Sequence, residues 1–294
     1  MKDPAPFPPH LPHPHPSPEG EGLSVRVALP AATSRLAAHS DTPRLDAELL
    51  MAHALGIGRD ALLLVGSDQQ VPAEFDALLA RREAGEPIAY IVGRRGFWTI
   101  ELEVGPGVLV PRPDSETLIE AALSHFGEAG PKRILDLGTG PGTLLLAALD
   151  QWPQAAGLGV DASEVALAYA RRNAERLGLS GRANFRRGDW GEGLGEPFDL
   201  ILCNPPYVES GADLPRDVAD WEPPEALFAA ADGLSEYRRL APQIPQLLTA
   251  RGLACLELGA GQRAAVEGLF EGSGLTLSSH RDLAGIERCL TLTR

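Results

Sequence analysis

A chain of 294 residues can bury a full core, as one large domain or two ordinary ones. Its apolar fraction of 44% is ordinary and no run of about 18 residues lacks charges or helix breakers, so a soluble protein without a membrane span is expected. The net charge of −14 makes the average surface repel phosphate backbones, which argues against stable nucleic-acid binding. Arg94-Arg95 and Arg171-Arg172 read as solvated faces rather than a basic patch.

Cys203, Cys255 and Cys289 stand far apart without a C-x-x-C pairing. They argue against a disulfide framework or a cysteine-rich zinc site and point to a reducing cytoplasm.

Residues 1–22 contain eight prolines and three histidines, with almost nothing to bury. They read as a disordered, polyproline-type tail that lacks the apolar segment of a signal peptide. His10, His13 and His15 alternate within it, but no rigid frame holds them as metal ligands. Residues 23–86 read as a small helical domain. Asp41-Thr42 can cap a helix, Pro43 suits its first turn, and Leu45, Leu49 and Ala52 repeat on one face. A further helix is expected from Pro72 to Ala84, and nothing in this domain signals chemistry.

Residues 87–113 read as a linking β-hairpin. In "FWTIELEV", Trp98, Ile100, Leu102 and Val104 alternate with Thr99, Glu101 and Glu103, as a half-buried strand does. Gly105-Pro106-Gly107 then turns the chain and "VLV" returns it. "PRPDSE" at 111–116 ends the strand and opens a helix running to about Phe126. From Lys132, strands and helices alternate through "RILDLG", "TLLLAALD", "GLGVD", "SEVALAYARRNAERLG", "ANFRRGD", "FDLILC", "RGLACLEL" and "GQRAAVEGLF". Residues 114–294 are therefore expected to form an α/β domain, a doubly wound and mostly parallel sheet with helices on both faces. Ligands in such sheets bind beyond the carboxyl ends of the strands, where each motif below falls.

"LDLGTGPGT" runs a strand into a glycine loop that opens a helix. Gly138, Thr139, Gly140, Pro141 and Gly142 form that loop; its glycines admit close backbone approach, and the helix N-terminus favours a negative group. G-x-G-x-G alone is weak, because a dinucleotide fingerprint wants glycine or alanine where Thr143 stands. Asp161 ends the next strand, 21 residues after Gly140. It either accepts from ribose hydroxyls or caps the following helix. Asp189 and Trp190 end the third strand and can hold the edge and face of an adenine, or Trp190 covers core.

Asn204 and Pro205 each precede a proline, so both are extended and no N–H follows either. The strand end thus displays carbonyl oxygens. A planar NH2 group can donate one hydrogen to the Asn204 side-chain oxygen and the other to the Pro205 carbonyl. Pro206 stiffens the segment, and Tyr207 can stack on the amide plane or face a cation. The alternative is a turn with one packing aromatic. After a buried strand, downstream of a glycine loop, the holder is the stronger reading. His39, His53, His125 and His280 lie in no motif, so neither a histidine base nor a metal is expected, and Cys203 reads as a buried strand residue.

"DLGTGPG", Asp161, "GDW" and "NPPY" resemble a class I S-adenosylmethionine-dependent methyltransferase acting on a planar nitrogen. With "PRPDSE", Glu222-Pro223, Asp232-Gly233-Leu234, "YRR" at 237–239, "DLAG" at 282–285 and the helical front domain, residues 30–294 resemble the release-factor glutamine N5-methyltransferase family, known as HemK or PrmC. The resemblance implies a Rossmann-like seven-stranded sheet. It implies that S-adenosyl-L-methionine contacts residues 138–142, Asp161, Asp189, Trp190 and Asn204, and that Asn204 to Tyr207 hold the substrate. That substrate is the glutamine of the Gly-Gly-Gln loop in class 1 peptide release factors, which the helical domain and hairpin help to dock. Where Pro141 stands the family often has a small or hydroxyl residue, and where Ile286 stands often Arg or Lys; altered contacts are expected at both. The competing enzymatic reading is a methyltransferase for the exocyclic amine of adenine or guanine, which the acidic charge disfavours. A catalytically silent cofactor-binding or ribosome-associated protein is disfavoured by the intact Asn204 and Tyr207.

Overall fold

The computed structural model describes residues 23–64 and 69–294; the proline- and histidine-rich segment 1–22 lies outside the described residues. The chain divides into two compact units, with the division after Leu79. The first holds helices α1 (Val25–Leu36), α2 (Pro43–Ala54) and α3 (Arg59–Leu64) and the start of α4 (Phe75–Glu83). α1 packs on α2 through buried Ala28, Ala32 and Leu36 on one side and Ala47, Leu50 and Met51 on the other. Pro43 occupies the first turn of α2, but the Thr42 hydroxyl bonds the Asp46 carboxylate (3.1 Å) and caps no backbone N–H. The buried stripe differs from the expected Leu45, Leu49 and Ala52: Leu45 is exposed and Leu49 half-buried. Glu48 turns inward instead, because Arg44 (2.8 Å) and Arg59 (2.8 Å) pair with its carboxylate.

The second unit continues with α5 (Ile88–Val92), β1 (Arg94–Phe97) and β2 (Ile100–Glu103). The linking hairpin exists, but β1 and β2 form it by pairing Arg94 with Glu103 and Phe97 with Ile100. The turn is therefore Trp98-Thr99, and residues 105–110 form no strand. Nothing local marks this turn: Trp98 adopts φ +53°. Distant groups hold it, with the Trp98 N–H on Glu116 (2.8 Å), its indole N–H on Gln151 (3.1 Å) and the Thr99 hydroxyl on Asp150 (2.6 Å). The chain does turn at Gly105-Pro106-Gly107, with the Val108 N–H on the Gly105 carbonyl (3.4 Å), but that turn joins no strands; a Cβ at Gly105 would also collide with the Tyr169 hydroxyl. Arg95 also departs from the expected solvated face, being half-buried with Nε unpartnered among the described residues.

After α6 (Glu116–Phe126) come β3 (Arg133–Leu137), α7 (Thr143–Gln151), β4 (Ala156–Asp161), α8 (Glu164–Arg176), β5 (Ala183–Arg187) and β6 (Phe198–Cys203). A long loop with the short α9 (Arg216–Ala219) leads to α10 (Ser235–Leu240), α11 (Ile244–Leu247), β7 (Leu248–Glu257), α12 (Arg263–Leu269), β8 (Thr276–Arg281) and β9 (Glu287–Thr293). The seven strands lie in the order β5-β4-β3-β6-β7-β9-β8. The first five are mutually parallel, while β9 runs antiparallel to both β7 and β8.

Central strands read as unbroken apolar runs because both faces are covered. Ile134, Leu200, Leu202, Leu253 and Cys255 enter one core with α6 and α7, and their neighbours Leu135, Leu137, Ile201, Cys203, Ala254 and Leu256 enter the other with α10, α11 and α12. The strand order reverses between β3 and β6, which opens a crevice at their carboxyl ends. No helix among the described residues is long and apolar enough to cross a membrane.

Candidate active site

A cleft of about 680 Å3 occupies that crevice. Gly138, Thr139, Gly140 and Pro141 after β3, Asp161 at the end of β4, Asp189 and Trp190 after β5, and Asn204 and Pro206 after β6 all line it. The structure therefore brings most of the expected site residues together. Gly142, Pro205 and Tyr207 are not among its lining residues. Gly142 starts α7 at φ +89°, and a Cβ on it would stand 2.7 Å from Leu146, so packing at the helix entry explains that glycine.

Backbone donors hold the glycine loop. Asp161 accepts from the Gly140 N–H (2.8 Å) on one carboxylate oxygen and from the Ser163 N–H (2.8 Å) on the other. It is not the helix cap: Ser163 caps α8 by accepting from the Ala166 N–H (3.2 Å). Burial raises the Asp161 carboxyl above its ordinary value. Trp190, at φ +48°, both packs on the core and lines the cleft. Its indole N–H donates to Glu236 (2.9 Å), and its ring would stand 3.1 Å from a Cβ at Gly138. Glycine at 138 is what lets the ring cover the loop. Asp189 pairs with Arg239 at the rim. Pro141 supplies a carbonyl to the Asn173 amide (2.9 Å), so this departure from the resemblance is held at its oxygen.

Sequence reasoning missed Asp136, two residues before Gly138. It is buried against the cleft, and one carboxylate oxygen accepts from the Thr139 hydroxyl (2.6 Å) and the Leu145 N–H (3.1 Å). The other oxygen has no partner among the described residues, and burial pushes the carboxyl up to about 7. The only signal was an acid inside an otherwise apolar strand, "RILDLG".

The reacting side rests on distant partners. The Asn204 amide nitrogen donates to the Ser115 hydroxyl (3.2 Å), which bonds one oxygen of Glu257; the Tyr207 hydroxyl donates to the other (3.1 Å). The Asn204 backbone oxygen lies 3.9 Å from the Cβ position of Gly138, which puts this strand end against the glycine loop. Glu222 accepts from the Val110 N–H (3.0 Å) and Arg112 (2.5 Å), and Arg288 pairs with Asp114 (3.1 Å) and Asp282 (3.1 Å). "PRPDSE" is thus a clamp: Arg112, Asp114, Ser115 and Glu116 each bond a different part of the unit. Arg288, two residues past Ile286, provides the cation beside "DLAG". Neither Ser115 nor Glu257 was singled out from the sequence; a glutamate closing an apolar strand was the available sign. Cys203 is fully buried, and burial pushes its thiol far up. Among the described residues no three His, Cys, Asp or Glu side chains converge as a metal site.

With two acids and an aromatic ring around a glycine loop, facing a strand end rich in acceptors, the cleft suits a nucleoside-bearing ligand beside a planar donor group. A model described as the PrmC N-terminal domain matches residues 28–93, and a methyltransferase domain model matches residues 130–262. A release factor glutamine methyltransferase of Rhodospirillum rubrum is 47% identical over 260 residues, 86% of this chain and 80% of the relative. The protein of that name from Caulobacter vibrioides is 42% identical over 90% of this chain and 95% of its own, and that from Vibrio cholerae 38% over the same shares. Among solved structures, the hMettl16 catalytic domain in complex with the MAT2A 3'UTR hairpin 6 covers 72% of this chain and 81% of its own at TM-score 0.53 and 18% identity, a likeness of fold alone. The chain belongs to the release factor glutamine methyltransferase family.

Proposed function

We propose that the protein transfers a methyl group from S-adenosyl-L-methionine to the N5 side-chain amide nitrogen of the glutamine in the Gly-Gly-Gln loop of class 1 peptide release factors. The observation that carries this reading is the meeting, in one cleft, of the glycine loop with the Asn204 acceptor at the end of β6.

The residues fit the methyl donor. The bare Gly138 under the Trp190 ring leaves a cradle that any Cβ would narrow. The unpartnered Asp136 oxygen suits a cationic N–H donor, Asp161 suits ribose hydroxyls, and Trp190 with Asp189 suits the adenine. When bound, S-adenosylmethionine supplies an electrophilic methyl on a positively charged sulfur.

This chain's own part is to make a poor nucleophile attack. An amide nitrogen shares its lone pair with the carbonyl, and full loss of that conjugation is worth the rotation barrier of about 18–20 kcal/mol. Asn204 and Pro205 need offset only part of it. Their oxygens accept the two amide hydrogens, fix the nitrogen's plane and leave the direction above it open. In-line alignment contributes up to about 7–11 kcal/mol. The surplus proton leaves nitrogen after the new N–C bond has formed. Pro206 walls the cleft, and Tyr207, anchored on Glu257, backs the holder. Residues 23–86 and the hairpin are assigned to docking the release factor in the cytoplasm.

Incubation with labelled S-adenosylmethionine and, separately, release factor, release factor with the loop glutamine changed to alanine, DNA and RNA tests the reading. Label is expected on the first alone. Label on nucleic acid, or equal label on the alanine variant, overturns it.

A further inference from the structure

If Asn204 presents an acceptor to an incoming NH2, something must decide which end of its amide faces the cleft. Oxygen and NH2 are nearly the same shape, so packing barely discriminates between them and hydrogen bonds must choose. Glu257 ends β7 fully buried, with one carboxylate oxygen bonded to the Ser115 hydroxyl and the other to the Tyr207 hydroxyl (3.1 Å). An ionised carboxylate only accepts, so both hydroxyl protons are committed to it. Ser115 then has no proton left for Asn204. Its 3.2 Å contact with that side chain has to be the Asn204 NH2 donating to the serine oxygen. The Asn204 carbonyl is thereby turned away from Ser115 and free for a donor.

We propose that Glu257 and Ser115 are positioning residues that set the polarity of Asn204: an ionised carboxylate, acting through one hydroxyl, keeps the Asn204 oxygen available to the substrate amide. The proposal rests on the Asn204 holder reading above and adds to it a proton switch. When Glu257 takes a proton from solvent on the oxygen nearest Ser115, it becomes the donor to that hydroxyl. The serine proton is released to donate in turn, which favours the Asn204 rotamer that offers it oxygen. Its NH2 then meets the substrate NH2, donor against donor.

The groups around Glu257 place this switch near neutrality. Ser115 and Asp114 precede α6, Cys203 and Tyr207 flank the end of β6, Tyr237 comes from α10, and Arg288 and Cys289 from β9. Burial pushes Glu257 up to about 7, against the pull of the Ser115 and Tyr207 hydroxyls and Arg288, while Asp114 adds to the rise. Asp136 is raised into the same range, so a pH profile of the unmodified protein alone does not separate the two acids.

The test is kcat against pH, at saturating S-adenosylmethionine and release factor, for the unmodified protein, Ser115→Ala, Glu257→Gln and Asn204→Ala. The unmodified kcat is expected to fall below about pH 7 with a one-proton slope. Ser115→Ala, which folds and binds cofactor if its melting profile and cofactor KM are retained, is expected to lose at least about tenfold in kcat at pH 8 and to lose the acid limb. Glu257→Gln is expected to do the same. If Ser115→Ala keeps the acid limb or full kcat while Asn204→Ala is inactive, the relay is refuted and the holder stands. If Asn204→Ala is as active as the unmodified protein, the holder reading itself has failed.

Discussion

The two walls of the cleft are held together over very different spans of chain. On the glycine-loop side, Thr139 reaches Asp136 three residues away, the Leu145 N–H reaches it across nine, and the Gly140 N–H reaches Asp161 across 21. On the reacting side, Asn204 depends on Ser115 across 89 residues, Arg112 on Glu222 across 110, and Ser115 on Glu257 across 142. The first wall is nearly a property of two adjoining strand–loop–helix units, secured largely by backbone N–H groups. The second forms only when the whole sheet is assembled, and side chains secure it. Backbone donors survive most substitutions, whereas a chain of side chains fails at any member.

The sharpest separation of the two walls is expected at Asn204→Ala. Removing one acceptor aimed at the reacting nitrogen should lower turnover about 10²–10³-fold. Cofactor affinity, read by calorimetry, should stay within about threefold, because nothing on the glycine loop depends on that side chain. A parallel loss of both would show that the walls are one coupled structure. The reverse is expected of Asp161→Ala. It strands the Gly140 and Ser163 N–H groups and removes an acceptor from the cleft. Charge-assisted bonds of this kind are worth about 1.5–3 kcal/mol, so cofactor affinity should fall about 10- to 100-fold with kcat at saturation little changed.

The same contrast of span governs what the sequence disclosed. Glycine loop, Asp161, Asp189-Trp190 and Asn204-Pro205-Pro206-Tyr207 could be read because each follows a recognisable strand within a few residues. The parallel sheet was legible for the same reason: strand and helix periods alternate locally. The hairpin turn was misplaced because Trp98-Thr99 is held by Glu116, Asp150 and Gln151, while the turn that Gly105-Pro106-Gly107 does make leads into no strand, and Gly105 also makes room for Tyr169. Ser115 and Glu257 were invisible as a pair because only tertiary structure brings them together. Leu45 misled through a related effect, since paired arginines allowed Glu48 to take the inward place on α2.

Asp136 offers a smaller and subtler probe of the glycine-loop wall. Its folded carboxyl is raised from 3.8 to about 7 by burial, so between those values the folded state holds more protons than the unfolded chain. Stability in the absence of cofactor should therefore fall as pH rises through that window; the loss is absent below about pH 4 and complete above about pH 7. Between pH 6 and 7 the single group contributes at most about 1 kcal/mol. Asp136→Asn, which no longer titrates, should flatten that part of the thermal-unfolding profile. An unchanged slope would assign the whole dependence to other buried acids, Glu257 first.

The smallest effects should come from neighbouring substitutions at the start of α8, where the local character of this wall can be checked directly. Ser163 accepts the Ala166 N–H, and without it a donor at the helix end is left to solvent, so Ser163→Ala should lower the unfolding free energy by about 1 kcal/mol. Glu164, one residue on, pairs with Arg171 at 2.7 Å, but both side chains are about half exposed. Water screens that attraction and the two long side chains lose freedom to make it, so Glu164→Gln should change stability by less than about 0.5 kcal/mol. A larger loss at Glu164 than at Ser163 would mean that surface side chains, and not backbone capping, hold the helix against the loop, and the distinction between the two walls would have to be redrawn.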